Sequence, residues 1–444
     1  MKLTQIVKRD GTVVKYDRDR VSTAVFRAMA SVGHGLRADA ERIALHAEEV
    51  LTANYRASDF PSVEDIQDIV EQSLSVAGFN DVASAYMVYR SKRAQARAAR
   101  DLTFEVTDNI PYKTLYETLK WNMEHGCESV DKLNNIIDTG QFPVLVGASE
   151  LRFHADIGRT AQQLIENREK IRIAVIAGPS SSGKTTTTMR LSEFLAKAGL
   201  RLKTINVDNY FFDRDLNPKD EFGDYDYEKP HSLDLNLIDE HLCQLLDGNT
   251  IRMPYYDFKE GIRQLDVTEM HLEEDEILLI DSLHGLYGEM MKSVPSDRIF
   301  KIYVETLGQL RGSDGVFMRW ADIRLMRRMI RDSVQRNSQP LDTLTHWHYV
   351  RRSELQFIIP FIGTVNSIIN TALAYETAVL KQHIQDYLPP AIDLYRDDPR
   401  RQDAYIRAKR LRDFLEPIRS PGDEKCIPTN SLIREFIGGS IYTY

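Results

Sequence analysis

Apolar positions change their period along this chain. From residue 171 onward, short runs of consecutive aliphatic residues alternate with stretches whose apolar residues recur every three or four positions. The runs read as buried parallel strands and the stretches as helices, the pattern of a doubly wound α/β fold. The first run, Ile171 to Ile176, leads into Gly178-Pro179-Ser180-Ser181-Ser182-Gly183-Lys184-Thr185. Met189, Leu191, Phe194 and Leu195 follow at helical spacing. Strand, glycine-rich turn and helix in that order fit G-x-x-x-x-G-K-[ST], the phosphate-binding P-loop. Main-chain N–H groups of the turn and the helix N-terminus suit a di- or triphosphate. The expected phosphate-binding set is Gly178, Ser180, Ser181, Ser182, Gly183, Lys184, Thr185 and Thr186. Lys184 would neutralise the β- and γ-phosphates and Thr185 would ligate Mg²⁺.

Upstream the pattern differs. Leu3 to Lys8 and Thr12 to Tyr16 look like short strands joined by the turn signal Asp10-Gly11. Asp17 can cap a helix with Val21, Val25 and Met29 on one face. Ser62 and Asp65 have capping-box spacing before the stripe Ile66, Ile69, Val70, Ser73, Leu74. A last helix carries Tyr86 and Tyr89, and Arg90, Arg93, Arg97 and Arg100 at intervals of three and four, which make one basic face. These features define an N-terminal domain at 1–100. Residues 101–170 are mixed, with Gly126, Gly140, Gly147 and helices expected at Tyr112 to Met123 and Ala155 to Glu166. They read as a connector packing on the core, and 171–444 as the P-loop domain with a C-terminal extension.

Composition adds exclusions. The chain is 42% hydrophobic and 28% charged with a net charge of −9, ordinary for a globular protein and unfavourable for a mainly nucleic-acid-binding surface. Cys127, Cys243 and Cys426 are far apart, so neither a disulfide framework nor a zinc site is indicated. No apolar stretch suits a signal peptide or a bilayer span, and a cytoplasmic setting is expected.

Three segments suggest what is done with the nucleotide. Leu202 to Val207 is a second strand with Asp208 directly after it. Chemistry in an open parallel sheet gathers beyond the carboxyl ends of the strands, where a carboxylate can accept the proton of an attacking hydroxyl. Ile277 to Ile280 is an aliphatic run ending in Asp281, placed as an acid that holds Mg²⁺ through water. Arg324, Arg327, Arg328 and Arg331 line one side of a helix at 322–332. Like charges at that spacing destabilise a helix, and an anionic ligand under a mobile lid would relieve the repulsion.

With these pieces placed, residues 171–370 resemble the uridine kinase / phosphoribulokinase group of P-loop kinases. The resemblance rests on the GPSSSGKTT loop, the D-N-Y-F segment at 208–211, Y-D-F at 256–258 with Arg263, and the arginine-rich segment at 322–332. It extends to a subgroup with extra domains through Ala148-Ser149-Glu150, Asn370 to Glu376, and the tail Ser431 to Gly439. The resemblance implies Asp208 as general base, Lys184 on phosphate, Thr185 and Asp281 on Mg²⁺, and Arg327 and Arg331 as lid residues over the phosphates. It implies Phe211, Tyr256 and Arg263 at the nucleoside, and Arg324 is expected on the substrate side as well. Two departures stand out. Asp281-Ser282 replaces the family's usual Glu-Gly, and His231 stands near where an acid usually grips the ribose hydroxyls. Residues 1–95 resemble an ATP-cone through Val7-Lys8-Arg9-Asp10-Gly11, Asp17 to Ala24, Pro61 to Val70, and Tyr86, Tyr89, Arg90 and Arg93. Val7, Lys8 and Arg9 are the expected effector contacts, beside a hairpin that could cover an adenine.

The expectation is an Mg²⁺- and ATP-dependent kinase acting on a hydroxyl of a small metabolite, a uridine or cytidine 5′-hydroxyl being favoured. An adenine nucleotide at the ATP-cone would regulate it, and a homo-oligomer is expected. The alternatives are a kinase for another sugar or a phosphorylated acid, and a nucleotide-sensing regulator with a vestigial kinase core. Intact Lys184, Thr185 and Asp208 speak against the last.

Overall fold

The computed structural model describes residues 3–8, 13–55, 60–101, 109–217, 228–335 and 339–443. Two compact units form. One comprises Met1–Val106 and Pro390–Ala408, the other Thr107–Pro389 and Lys409–Tyr444. Among the described residues no helix is long and apolar enough to cross a membrane.

In the first unit, β1 (Gln5–Val7) and β2 (Val13–Lys15) form an antiparallel pair in the register Gln5 to Lys15 and Val7 to Val13. Four helices follow: α1 (Arg18–Val32), α2 (Arg37–Asn54), α3 (Val63–Val76) and α4 (Asn80–Asp101). Asp17 caps α1 by accepting from the Asp19 N–H, and the Ser62/Asp65 capping box of α3 is made in both directions. Val25, Met29, Ala44, Ala47, Leu51, Val70, Leu74 and Val82 close the core at 0% exposure. Arg90 pairs with Asp68 and Glu71 of α3. It is thus half of an ion pair rather than part of a free basic face. Arg9, Asp10, Gly11 and Thr12, and the side chains of Arg93, Arg97 and Arg100, lie outside the described residues.

The second unit starts with α5 (Tyr112–Glu124), α6 (Val130–Asp138) and α7 (Phe142–Glu166). The last is far longer than the expected Ala155–Glu166. Leu145, Val146, Ser149, Phe153 and Ile157 continue its buried stripe toward the N-terminus, and Gly147 inside it hides that continuity from a sequence reading. Then come β3 (Ile173–Ala177), α8 (Lys184–Lys197), β4 (Arg201–Asn206), α9 (Leu235–Leu246), the antiparallel hairpin β5 (Ile251–Asp257) and β6 (Ile262–Met270), β7 (Glu276–Ser282) and β8 (Ile299–Glu305). The remaining elements are α10 (Trp320–Gln335), α11 (Pro340–Phe357), β9 (Ser367–Asn370), α12 (Glu376–Ile384), α13 (Leu388–Tyr395), α14 (Gln402–Leu415) and α15 (Arg434–Ile437).

Five strands form one parallel sheet in the order β4-β7-β3-β8-β9. Its centre, β3, is fully buried from Ile173 to Ala177. This is the α/β doubly wound architecture expected from the alternating pattern. Asp281 stands opposite both Asn206 and Ile176 in the register. The P-loop, the segment carrying Asp208, and Asp281 therefore all leave the sheet at one carboxyl edge.

The C-terminal stretch is divided. Residues 390–408 belong to the first unit, where Gln402 accepts from the buried Arg37 at 3.1 Å and Tyr405 donates to Asp19 at 3.2 Å. Residues 409–444 belong to the second unit, where Arg410 forks onto Asp322 at the start of α10.

Candidate active site

Between β3 and α8 the chain wraps a concave turn. Ser181 and Gly183 take left-handed backbone angles, with φ of 59° and 90°. Gly178 cannot carry a side chain, because a Cβ there would lie 2.2 Å from the Val304 carbonyl oxygen. Side chains hold the carbonyls of the turn. Lys184 Nζ donates to the Gly178 carbonyl at 2.9 Å, Arg324 to that of Ser180 at 3.3 Å, and the Thr371 hydroxyl to that of Ser182 at 2.5 Å. Peptide planarity sends an N–H opposite to its carbonyl, so the held Ser180 and Ser182 carbonyls leave the N–H groups that follow them directed away from Arg324 and Thr371. The Ser181 and Ser182 hydroxyls are buried with no protein partner. Orphaned donors, backbone N–H groups and the N-terminus of α8 together make an anion site.

Charge around it is uneven. Burial pushes Asp281 up to about 6; Lys184 opposes the rise, while Glu435 and Asp208 add to it. Thr188 donates to Asp281 at 3.5 Å. Burial lowers Lys184, against the attraction of Asp281 and Glu435. Asp208 sits exposed on a short helical turn after β4, its N–H donating to Asn206 Oδ1 at 3.0 Å, and within electrostatic reach of Lys184 and Asp281. The P-loop, Lys184, Asp208 and Asp281 thus converge.

The arginine helix behaves differently from the expected lid. Arg324 is fully buried, 2.8 Å from Glu305 and 2.5 Å from Glu354. Arg327 is fully buried against Glu376 at 2.7 Å and donates to the Thr371 carbonyl at 2.8 Å. These acids relieve the repulsion that had suggested an anionic ligand, so Arg324 as a substrate contact and Arg327 as a lid residue are corrected. Both brace the P-loop from behind. Arg328 and Arg331 lie on the P-loop side: Arg328 donates to Ser180 Oγ at 3.1 Å, and Arg331 acts electrostatically on Lys184.

Toward the β5–β6 hairpin, Phe211, Tyr256 and Phe258 assemble, with centroids 5.7 Å apart for the first pair and 4.9 Å for Tyr256 and Phe258. The Tyr256 N–H donates to Asn209 Oδ1 at 3.3 Å. Tyr210, by contrast, is core, its hydroxyl 2.8 Å from His241. Arg263 pairs with Asp234 at 3.0 Å and lies 5.0 Å from the Phe212 ring. His231 packs edge-on to Phe357 and Tyr287. The sequence reading missed His284, three residues beyond Asp281. Burial pulls it down to about 4, so it is a neutral imidazole, and its Nδ1 is buried without a partner. It also missed Glu435 as a neighbour of Lys184, for which no local signal exists.

In the first unit the Val7 N–H donates to the Pro61 carbonyl at 3.0 Å, holding β1 beside the start of α3, and Lys8 is exposed at its end.

A parallel sheet in this order with a P-loop at its central strand defines a P-loop phosphotransferase fold. Residues 173–378 match the Phosphoribulokinase / Uridine kinase family and residues 4–95 match the ATP cone domain. A protein named uridine kinase from Deinococcus deserti is 30% identical over 187 residues, 42% of this chain and 80% of that one. One of the same name from Oceanobacillus iheyensis is 29% identical over 195 residues, 44% of this chain and 83% of that one. A vitamin B12-dependent ribonucleoside-diphosphate reductase from Thermoplasma acidophilum is 38% identical over 105 residues, 22% of this chain but 13% of that protein. The chain belongs to the phosphoribulokinase / uridine kinase family, with an ATP-cone at its N-terminus, and it is an ATP-dependent kinase.

Proposed function

We propose that this kinase transfers the γ-phosphoryl group of ATP to the 5′-hydroxyl of a pyrimidine nucleoside, uridine or cytidine, and that an adenine nucleotide at the ATP-cone regulates it. The observation that carries the reading is the convergence of Asp208, Lys184 and Asp281 on the P-loop edge of the sheet, beside the ring cluster Phe211, Tyr256 and Phe258. Relatives named uridine kinase support the acceptor. Asp208 takes the hydroxyl proton as the oxygen attacks, Lys184 neutralises phosphate, and the turn's N–H groups hold the transferring group in line. The rings offer a stacking face for a planar base, with Arg263 at its edge. Phosphoryl transfer also calls for Mg²⁺, and the site suits it. Burial and the neighbouring Asp208 charge push the Asp281 carboxyl up against the opposing pull of Lys184, and a carboxylate pair beside a threonine hydroxyl is an oxygen donor set of the kind Mg²⁺ takes. Thr185 and Asp281 would hold the ion, which would neutralise developing phosphate charge. ADP formation should depend on added uridine or cytidine. If ribose or a sugar phosphate stimulates it and neither nucleoside does, the acceptor assignment is wrong.

A further inference from the structure

The three subgroup segments, 148–150, 370–376 and the tail 431–439, meet around the P-loop and the start of α8. The hydroxyls of Tyr375 and Ser431 both donate to Glu150 Oε1, at 2.8 Å and 2.5 Å. Thr371 holds the Ser182 carbonyl and Glu376 holds Arg327. In the C-terminal tail Ser431, Leu432, Ile433 and Phe436 are fully buried. Leu432 fills the space over Gly183, where an added Cβ would lie 2.6 Å from it. Gln335 Nε2 donates to the Glu435 carbonyl at 2.7 Å.

This packing sets the Glu435 side chain on the first turn of α8. The helix is capped by Gly183, which has no side chain to accept the free N–H groups. Glu435 accepts in its place: the Thr186 N–H donates to Oε2 at 3.1 Å and the Thr186 hydroxyl to the same oxygen at 2.7 Å. Glu435 also acts electrostatically on Lys184 and Asp281. A free helix N-terminus attracts anions through its N–H groups and its dipole. Here one of those donors is already held by a carboxylate of the same chain.

We propose that Glu435 is an internal anion that competes with nucleotide phosphate for the first turn of α8, so that the C-terminal tail sets the affinity for ATP. The Thr186 N–H has one proton to give. A phosphate oxygen takes it when the carboxylate leaves, and a carboxylate that stays opposes the phosphate by its charge. The proposal rests on the P-loop being the nucleotide site.

The test uses the full-length protein with Glu435→Gln and Glu435→Ala, and Mg-ATP affinity by calorimetry. Gln still accepts from Thr186 in the same shape but carries no charge. Both variants should bind Mg-ATP more tightly than the wild type, on the order of tenfold, the scale of one charge-assisted hydrogen bond. Unchanged or weaker binding in Glu435→Gln overturns the proposal, and wild-type affinity in Gln with weaker binding in Ala marks Glu435 as a structural cap only. Lys184→Ala, run alongside, separates the two layers: if it binds Mg-ATP as the wild type does, the nucleotide-site assignment fails instead. The unaltered protein supplies an independent readout. Saturating Mg-ATP should raise amide hydrogen exchange at 433–438, as α15 loses its anchor, and a fall or no change there contradicts the proposal.

Discussion

Asp281→Asn should make the ligand-free protein more stable while removing most of its activity. The Asp281 carboxyl is raised from an ordinary 3.8 to about 6 by burial and by the Glu435 and Asp208 charges beyond what Lys184 offsets. The folded state therefore prefers the protonated form. As pH rises from 4, the unfolded chain loses this proton first, so folding is penalised increasingly up to about pH 6 and by a constant amount above it. At ~1.36 kcal/mol per pH unit of separation, the full penalty is about 3 kcal/mol at neutral pH. Asn keeps the shape without the charge and should recover up to that amount. Urea unfolding of both proteins across pH 4 to 7 reads it directly. The advantage of the variant should be near zero at pH 4, grow through pH 5 and level off by pH 7. Turnover should fall about 10²-fold or more, the scale of losing one electrostatic contact to the transferring group. A variant less stable than wild type at pH 7, or an advantage that does not vary with pH, refutes the reasoning.

Asp208→Asn should leave folding and ATP binding intact and lower turnover by about 10²–10⁴-fold, read from steady-state rates beside an ATP titration. Glu376→Ala strands the buried Arg327 guanidinium and should cost about 3–5 kcal/mol, measured as a lowered urea midpoint, with weakened nucleotide binding because Arg327 braces the P-loop. Calorimetry should find two adenine-nucleotide sites per chain, one lost in Lys184→Ala and the other weakened in Lys8→Ala. A single site that Lys184→Ala removes entirely would leave the ATP-cone without a ligand.

What the sequence revealed was what local pattern encodes. The P-loop is contiguous, with its strand and helix on either side, so its fold and most of its chemistry are readable in order. Asp208 and Asp281 each follow an aliphatic run, and parallel register puts both at one edge. The Ser62/Asp65 capping box is likewise a local rule that the structure obeys. The partners of the arginines were not legible. Arg324 meets Glu305 at the end of β8 and Glu354 on α11, and Arg327 meets Glu376 on α12, across separations that only the tertiary packing of α10 creates. Helical spacing showed a row of like charges, with Asp332 in reach of Arg328 and Arg331, and nothing of the acids that neutralise Arg324 and Arg327. Glu435 is the extreme case: its role comes from a tail folded back on a helix 249 residues earlier.

The most direct test of the central claim is transfer of label from γ-labelled ATP to a panel of uridine, cytidine, adenosine, ribose and ribulose 5-phosphate, using wild type and Asp208→Asn. Labelled uridine or cytidine 5′-monophosphate from the wild type, and little from the variant, is the predicted result. Label on a sugar or sugar phosphate with none on any nucleoside, or equal transfer by the two proteins, would contradict it.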